Sequence, residues 1–369
     1  MLDLSRQLPG PFCSTLLADL GMDVLVVTAP RDPFGIGVPF LARNKRHMTL
    51  DLKSEEGRTI FSRLVDDADV VLEGFRPGVM RRLGLDADTL RARNPRLVYC
   101  AISGYGQDGP YRDRAGHDVN YLGYAGVLEY GGTSDGAPMI PPVPVADVGG
   151  GSLMAAAGIL AALLARDQTG RGQMVDIAML DGAAAWNVAR QALHWRTGAL
   201  PERGREQLTG YWPCYHVYET RDGRHLTIGA YEPHFWATLC RHFGREDFVD
   251  AQWSEERRNE ILAFFEAAFR DKTMAEWVAE LEPLDACVGP VLRLDEAYDD
   301  PQLRHRGMVL HANGPAGSQP YVGCPITLSD TPATMRTPPA AFGQHTDEVL
   351  GELGYTHTDV ALLRERGVI

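Results

Sequence analysis

The feature that most constrains this chain is an alternation in its first half between short apolar, β-branched runs and stretches of helix length. The runs are 23-DVLVVT-28, 48-MTLDL-52, 69-DVVLE-73 and 97-LVYCAIS-103, and between them stand 55-EEGRTIFSRLVDDA-68 and 86-DADTLRARN-94. Near-continuous apolar strands separated by helices predict a mostly parallel sheet covered on both faces. In such a sheet a ligand is expected at the carboxyl ends of the strands, where the loops gather. A further strand, 174-MVDIAML-180, runs into a helix, 181-DGAAAWNVARQAL-193. The apolar run 153-LMAAAGILAALLA-165 is short for a bilayer span and reads as a buried helix.

The pattern then changes. After the polar linker 197-TGALPERGREQLTG-210, two alternating runs, 214–220 and 225–231, flank Asp222-Gly223, a strong hairpin signal. Helices are expected near 233–243, 255–270 and 273–282. The Pro-rich stretch 317–340 reads as a long return connection, and Thr346 as the N-cap of a helix over 344–354. The division that follows is a large Rossmann-like α/β domain over 1–190, a smaller α+β domain with linkers over 191–315, and a return segment over 316–369.

Composition narrows the partners. The 369 residues carry a formal net charge of −13, which disfavours nucleic acid or an anionic membrane but leaves room for a local basic pocket. Six scattered cysteines, with no CxxC pair and no histidine cluster at zinc spacing, point to a reducing compartment and no structural metal. No export signal opens the chain, so a cytoplasmic location is expected.

Three glycine-rich loops hold ionisable side chains. They are 115-AGHDVNY-121 with His117 and Asp118, 145-VADVGGGS-152 with Asp147, and 229-GAYEP-233 with Glu232. Each has a plainer reading: His117 as a loop-rim residue, Asp147 and Glu232 as first-turn carboxylates of the helices that follow. Together they suit proton chemistry, with a histidine and a carboxylate serving as base and acid from opposite faces of one carbon. A second carboxylate beside the histidine would orient the ring and stabilise its charged form. Basic residues cluster at Arg43, Lys45, Arg46 and Lys53 and at Arg76, Arg81 and Arg82, as solvated surface or as a phosphate site. Neither GxGxxG nor GxxxxGK[ST] is present, so ordinary dinucleotide and P-loop sites are not expected.

Over nearly its whole length the chain resembles the class III coenzyme A transferases and, among them, the α-methylacyl-CoA racemases. The resemblance is carried by 10-GPFCSTLLADLGMDVLVV-27, 43-RNKRHMTLDLKSEEG-57, 73-EGFRPGVMRRLGL-85, 103-SGYGQDGP-110, 115-AGHDVNY-121, 147-DVGGGSLMAAAGILAALLARDQTGRGQMVDIAMLDG-182, 229-GAYEPHFW-236 and 285-DACVGPVL-292. It implies that Asp147 is the catalytic aspartate, a nucleophile in transferases and an acid/base in racemases. It also implies that His117 is the opposing proton carrier, that Glu232 supports it, and that Asp118 restrains the Asp147 side. Backbone N–H groups beside Gly116 to Asp118 would receive an enolate oxygen. Coenzyme A contacts are implied at Leu50, Lys53, Gly74, Phe75, Arg76, Arg82, Gly116, Asn120 and Tyr121. The implied assembly is an interlocked homodimer with sites formed between subunits, acting on an acyl-CoA substrate with no metal or redox cofactor.

The chain departs from that pattern in four places. Met1 stands almost inside the first strand, where relatives carry a lead-in. Ala29-Pro30 lacks an adenine-side arginine, 141-PPVPVAD-147 lacks an expected Asn, and 208-LTGYWPCYHVY-218 replaces a Gly-Gly stretch, which implies a different acyl pocket. The leading expectation is a racemase or epimerase of 2-methylacyl-CoA thioesters. The rivals are a transferase with Asp147 as nucleophile and an inert acyl-CoA binder.

Overall fold

The computed structural model describes residues 1–32, 39–314 and 317–369. Six parallel strands form its main sheet: β1 (Leu2–Asp3), β2 (Val24–Thr28), β3 (Lys45–Thr49), β4 (Val70–Glu73), β5 (Val98–Ser103) and β6 (Met174–Ala178). Their order, β3-β2-β1-β4-β5-β6, is that of doubly wound dinucleotide-binding sheets, and the winding reverses between β1 and β4. Every residue of β4 and β5 is buried, which is why both runs lack polar alternation.

Two strands differ from expectation. The two-residue β1 is too short for a periodic signal, yet it occupies the centre, with Leu2 opposite both Leu25 and Val71. The next discrepancy is β3, which begins at Lys45 rather than Met48 and leaves the ladder after Thr49. The basic residues in and just before β3 have internal partners. Lys45 Nζ donates to Pro11 O (2.9 Å) and Ser14 Oγ (2.7 Å), Arg43 pairs with buried Asp19 (2.6 Å), and Arg46 reaches Glu352 (2.8 Å). Arg43, Lys45 and Arg46 therefore belong to the fold and not to a phosphate site.

Helices α1 (Pro9–Asp19), α2 (Glu55–Asp66), α3 (Val79–Arg82), α4 (Ala87–Arg93) and α5 (Asp118–Tyr124) connect these strands. Ser54 caps α2 by accepting from Gly57 N, and Asp86 caps α4 by accepting from Thr89 N. A π-helical segment, Ala146–Leu153, runs directly into α6 (Met154–Thr169). The combined helix is long and apolar enough to cross a membrane by length and composition. It packs on α1, β5 and β6, and only one face is buried: Ala155, Ile159 and Ala162 are inside, whereas Leu160 and Leu164 are exposed. The expected helix over 181–193 divides at Asn187 into α7 (Met179–Trp186) and α8 (Val188–Thr197).

The chain forms two compact units, one of residues 1–125, 141–188 and 301–369 and the other of residues 126–140 and 189–300. The second contains an antiparallel sheet of β7 (Tyr215–Glu219), β8 (His225–Gly229) and β9 (Val288–Pro290). Its hairpin turns at Asp222-Gly223, with Gly223 left-handed at φ +70°. Around the sheet, α9 (Pro233–His242), α10 (Arg258–Phe269) and α11 (Met274–Leu281) build a core on Trp236, Phe248, Phe265 and Phe269, all fully buried.

The return through α12 (Leu294–Ala297) and α13 (Pro301–His305) leads to a hairpin, β10 (Val309–Gly314) and β11 (Gly317–Val322), whose second strand falls inside the connection expected over 317–340. Two helices, α14 (Thr346–Glu352) and α15 (His357–Glu365), close the chain. Thr346 is not the cap of α14. Its hydroxyl instead accepts from Thr49 N (3.0 Å), tying the helix to the end of β3, and His345 takes the cap position.

Candidate active site

The carboxyl ends of β3, β4 and β5 carry most of the residues singled out from the sequence. Beyond β5, the chain reaches α5 through the loop ending at His117, which is exposed and extended (φ −129°, ψ 176°) at the N-cap position. The cap is made by Asn120, whose Oδ1 accepts from His117 N (3.0 Å) while its own N–H donates to His117 O (2.8 Å). That bond commits the His117 N–H, so it is not available to an enolate oxygen. Tyr121 is buried, and its hydroxyl donates to Gly116 O (2.6 Å). Burial, then Asp147, Tyr105 and Asp118, push its phenol well up, so it stays neutral and holds the loop in place.

Asp147 lies in the first turn of the π-helix and is half-buried. Such segments recur at functional sites because the wider turn re-aims side chains. The segment is permitted by a close crossing with α7: a Cβ on Gly182 would fall 2.2 Å from Gly150 Cα. Asp118 reaches across from α5, and its Oδ1 accepts from Asp147 N (2.9 Å). Burial first, then the neighbouring Asp118 charge, push the Asp147 carboxyl up to about 6, with His117 acting in the opposite direction. A carboxyl titrating there can both take and give a proton near neutral pH. His117, Asp118 and Asp147 are thus brought together within one unit.

Glu232 belongs to the other unit. It occupies the N-cap position of α9 (φ −74°, ψ 143°), yet its side chain makes no capping bond and is exposed. Its loop is pinned from below by buried Gln252, whose Nε2 donates to Ala230 O (3.0 Å) and Tyr231 O (2.8 Å). Among the described residues the carboxylate forms no hydrogen bond or ion pair.

The remaining residues expected to contact coenzyme A divide in character. Leu50 is 1% exposed, and its N–H donates to Thr28 O (2.7 Å), so neither its side chain nor its amide faces a ligand. Lys53, Gly74, Arg76, Arg82 and Asn120 are exposed at the same edge. Phe75 is half-buried, with the Arg6 guanidinium 5.3 Å from its ring centre.

One residue was missed. Glu73 ends β4 almost fully buried, and its Oε2 accepts from Phe75 N (2.7 Å), fixing the Gly74–Arg76 loop. Burial pushes its carboxyl up to about 7, moderated by the Phe75 N–H and the Tyr99 hydroxyl. The available signal was an acidic residue closing an otherwise apolar strand directly before glycine.

Comparison with known proteins agrees with this architecture. The model of CoA-transferase family III matches residues 1–346. The human alpha-methylacyl-CoA racemase is 36% identical over 374 residues, covering 100% of this chain and 96% of that protein. An acyl-CoA transferase of Fusarium pseudograminearum is 34% identical over 400 residues, covering 100% and 87%. Among solved structures, a CAIB/BAIF family protein from Brucella suis superposes with a TM-score of 0.82 at 28% identity, covering 95% of this chain and 97% of its own. With a matching sheet, a matching family model and full-length relatives, the chain belongs to CoA-transferase family III, whose members are enzymes acting on acyl-CoA substrates.

Proposed function

We propose that this enzyme inverts the α-centre of 2-methylacyl-CoA thioesters by proton transfer through an enolate. The observation that carries the reading is a half-buried Asp147 with its carboxyl raised to about 6 beside His117. In one direction the Asp147 carboxylate takes the α-proton, the C–H electron pair moves onto the thioester carbonyl, and the His117 imidazolium reprotonates carbon from the opposite face. The enzyme is left with protonated Asp147 and neutral His117, the state that runs the reverse direction. Because the His117 N–H is held by Asn120, donors to the enolate oxygen would be the amides of Gly116 and Asp118. Glu232 takes the supporting role implied by its motif. Coenzyme A is assigned to the exposed edge that includes Lys53, Gly74, Arg76 and Arg82, with Phe75 beside it.

We also assign a homodimer. Each unit exposes large apolar side chains, among them Leu164, Trp186 and Val188 in one and Trp195 and Leu200 in the other. Patches of this kind on a soluble surface usually mark association. Analytical ultracentrifugation giving twice the chain mass supports it, and a monomer at micromolar concentration contradicts it.

The second reading is coenzyme A transfer. Asp147 would attack the thioester carbonyl to form an acyl anhydride and release the CoA thiolate, which would then attack the aspartyl carbonyl of the anhydride, expelling the donor's carboxylate and leaving an aspartyl-CoA thioester. The Fusarium relative supports this reading. The two differ in what they need, because inversion requires no second carboxylic acid. Incubation of (2R)-2-methylacyl-CoA with enzyme alone should yield the 2S form. Product that appears only after adding a free carboxylate would favour transfer.

A further inference from the structure

Gly78 joins the loop after β4 to α3 in a left-handed conformation, φ +84°, which strains any other residue. A Cβ there would lie 3.2 Å from Arg112 Nη2 and 3.6 Å from Arg82 Nη1. Two guanidinium groups, one following β4 and one following β5, therefore converge on a single point of bare backbone. Like charges brought together this closely repel unless an anion joins them.

The neighbouring carboxylates do not fill that role. Asp113 stands 3.6 Å from Arg112 but is 79% exposed, and Asp88 approaches Arg81, at 4.0 Å. Asp86 is occupied in capping α4, where Thr89 N and Oγ1 both donate to it. Among the described residues no carboxylate forms an ion pair with Arg82. Beside Gly78 and Arg112 a cleft opens whose walls also carry Arg81 and the carboxylates of Glu73, Asp86, Asp88 and Asp108, so the anion is placed at its Gly78–Arg112 end and not along its length. That end of the cleft follows the carboxyl ends of β4 and β5, within the same unit as Asp147. In a chain of net charge −13, an arginine couple beside a glycine, with Arg82 lacking an ion pair among the described residues and Arg112 holding only the exposed Asp113, is a place for a doubly charged oxyanion.

We propose that Arg112, acting with Arg82 across Gly78, grips a phosphate of the coenzyme A moiety. The proposal rests on the acyl-CoA reading above, and it adds Arg112, which no motif assigned. Planar guanidinium forks match phosphate oxygens, and the missing side chain at position 78 lets an oxygen approach the backbone.

The test is calorimetric titration of the full-length protein with CoA, 3′-dephospho-CoA and pantetheine. Arg112→Gln is expected to weaken CoA about tenfold or more while leaving pantetheine unchanged. Arg112→Lys, which keeps charge but loses the fork, should fall between wild type and Arg112→Gln. If the tenfold loss persists with 3′-dephospho-CoA the pyrophosphate is held; if it vanishes the 3′-phosphate is held, and either result supports the site. A folded Arg112→Gln protein that binds CoA as tightly as wild type overturns it. Wild-type protein that binds CoA no better than pantetheine overturns both this inference and the acyl-CoA reading.

Discussion

Two groups of ionisable side chains in the same unit are built on opposite terms. Under the sheet, Asp19 receives Arg43 through two nitrogens (2.6 and 3.0 Å) and Asn44 Nδ2 (2.8 Å), all of them buried. Nearby, Lys45 is surrounded by Pro11 O, Ser14 Oγ and, at 3.9 Å, Asp3 Oδ2. At the sheet's carboxyl edge, by contrast, Asp118 and Asp147 face each other as like charges, with only His117 opposing them. Burial lowers Lys45 to about 8, Asp3 offsets part of that, and the ammonium is still charged at pH 7. The first group uses opposite charges to close a fold, and the second leaves a carboxyl near its titration point. Perturbed groups without a compensating ion pair are where proton chemistry is expected.

Removing His117, the proposed proton carrier, should break the contrast most sharply. His117→Ala is expected to lower α-proton exchange about a thousandfold, while the exposed position leaves the melting temperature unchanged. The mirror experiment is Arg43→Met. It strands the Asp19 carboxylate inside and should cost about 3 kcal/mol in denaturant unfolding, with little change in kcat. A stability loss from His117→Ala, or none from Arg43→Met, would erase the distinction.

The pH profile sharpens it further. With Asp147 titrating at about 6, kcat/KM in the direction where it takes the proton should fall about tenfold per pH unit below 6, and above 6 Asp147 itself imposes no further dependence. The reverse direction needs protonated Asp147 and should lose rate above pH 6. The smallest effect is on stability. Since the folded carboxyl stands above its ordinary value of 3.8, its ionisation opposes folding once the pH exceeds 6, and this penalty disappears as pH falls toward 3.8. Asp147→Asn should therefore stabilise the protein by on the order of 1 kcal/mol at pH 8, discounted for partial exposure, and by nothing at pH 4.

The alternation of strands and helices made the parallel sheet legible, because β4 and β5 are buried on both faces and their runs are unbroken. Elements whose polar residues bond internally were not. Lys45 and Arg46 read as a flank and are strand, while Thr346 reads as a cap and is a tether to Thr49. The two residues of β1 carry no periodicity at all. At the site, motif spacing found His117, Asp118 and Asp147, but no pattern could show that Asn120 occupies the His117 N–H, that Leu50 is core, or that Arg112 meets Arg82 over Gly78. Such facts depend on which loops follow adjacent strands, and here β4 and β5 are neighbours.

The most direct test of the central claim is incubation of the enzyme with (2R)-2-methylacyl-CoA in heavy water, reading α-deuterium by mass spectrometry and the 2S fraction by chiral separation. Proton transfer through Asp147 and His117 predicts deuterium at the α-carbon together with loss of configuration, both lowered about a thousandfold in His117→Ala. Retention of the α-hydrogen and of configuration across branched and aryl substrates would contradict it.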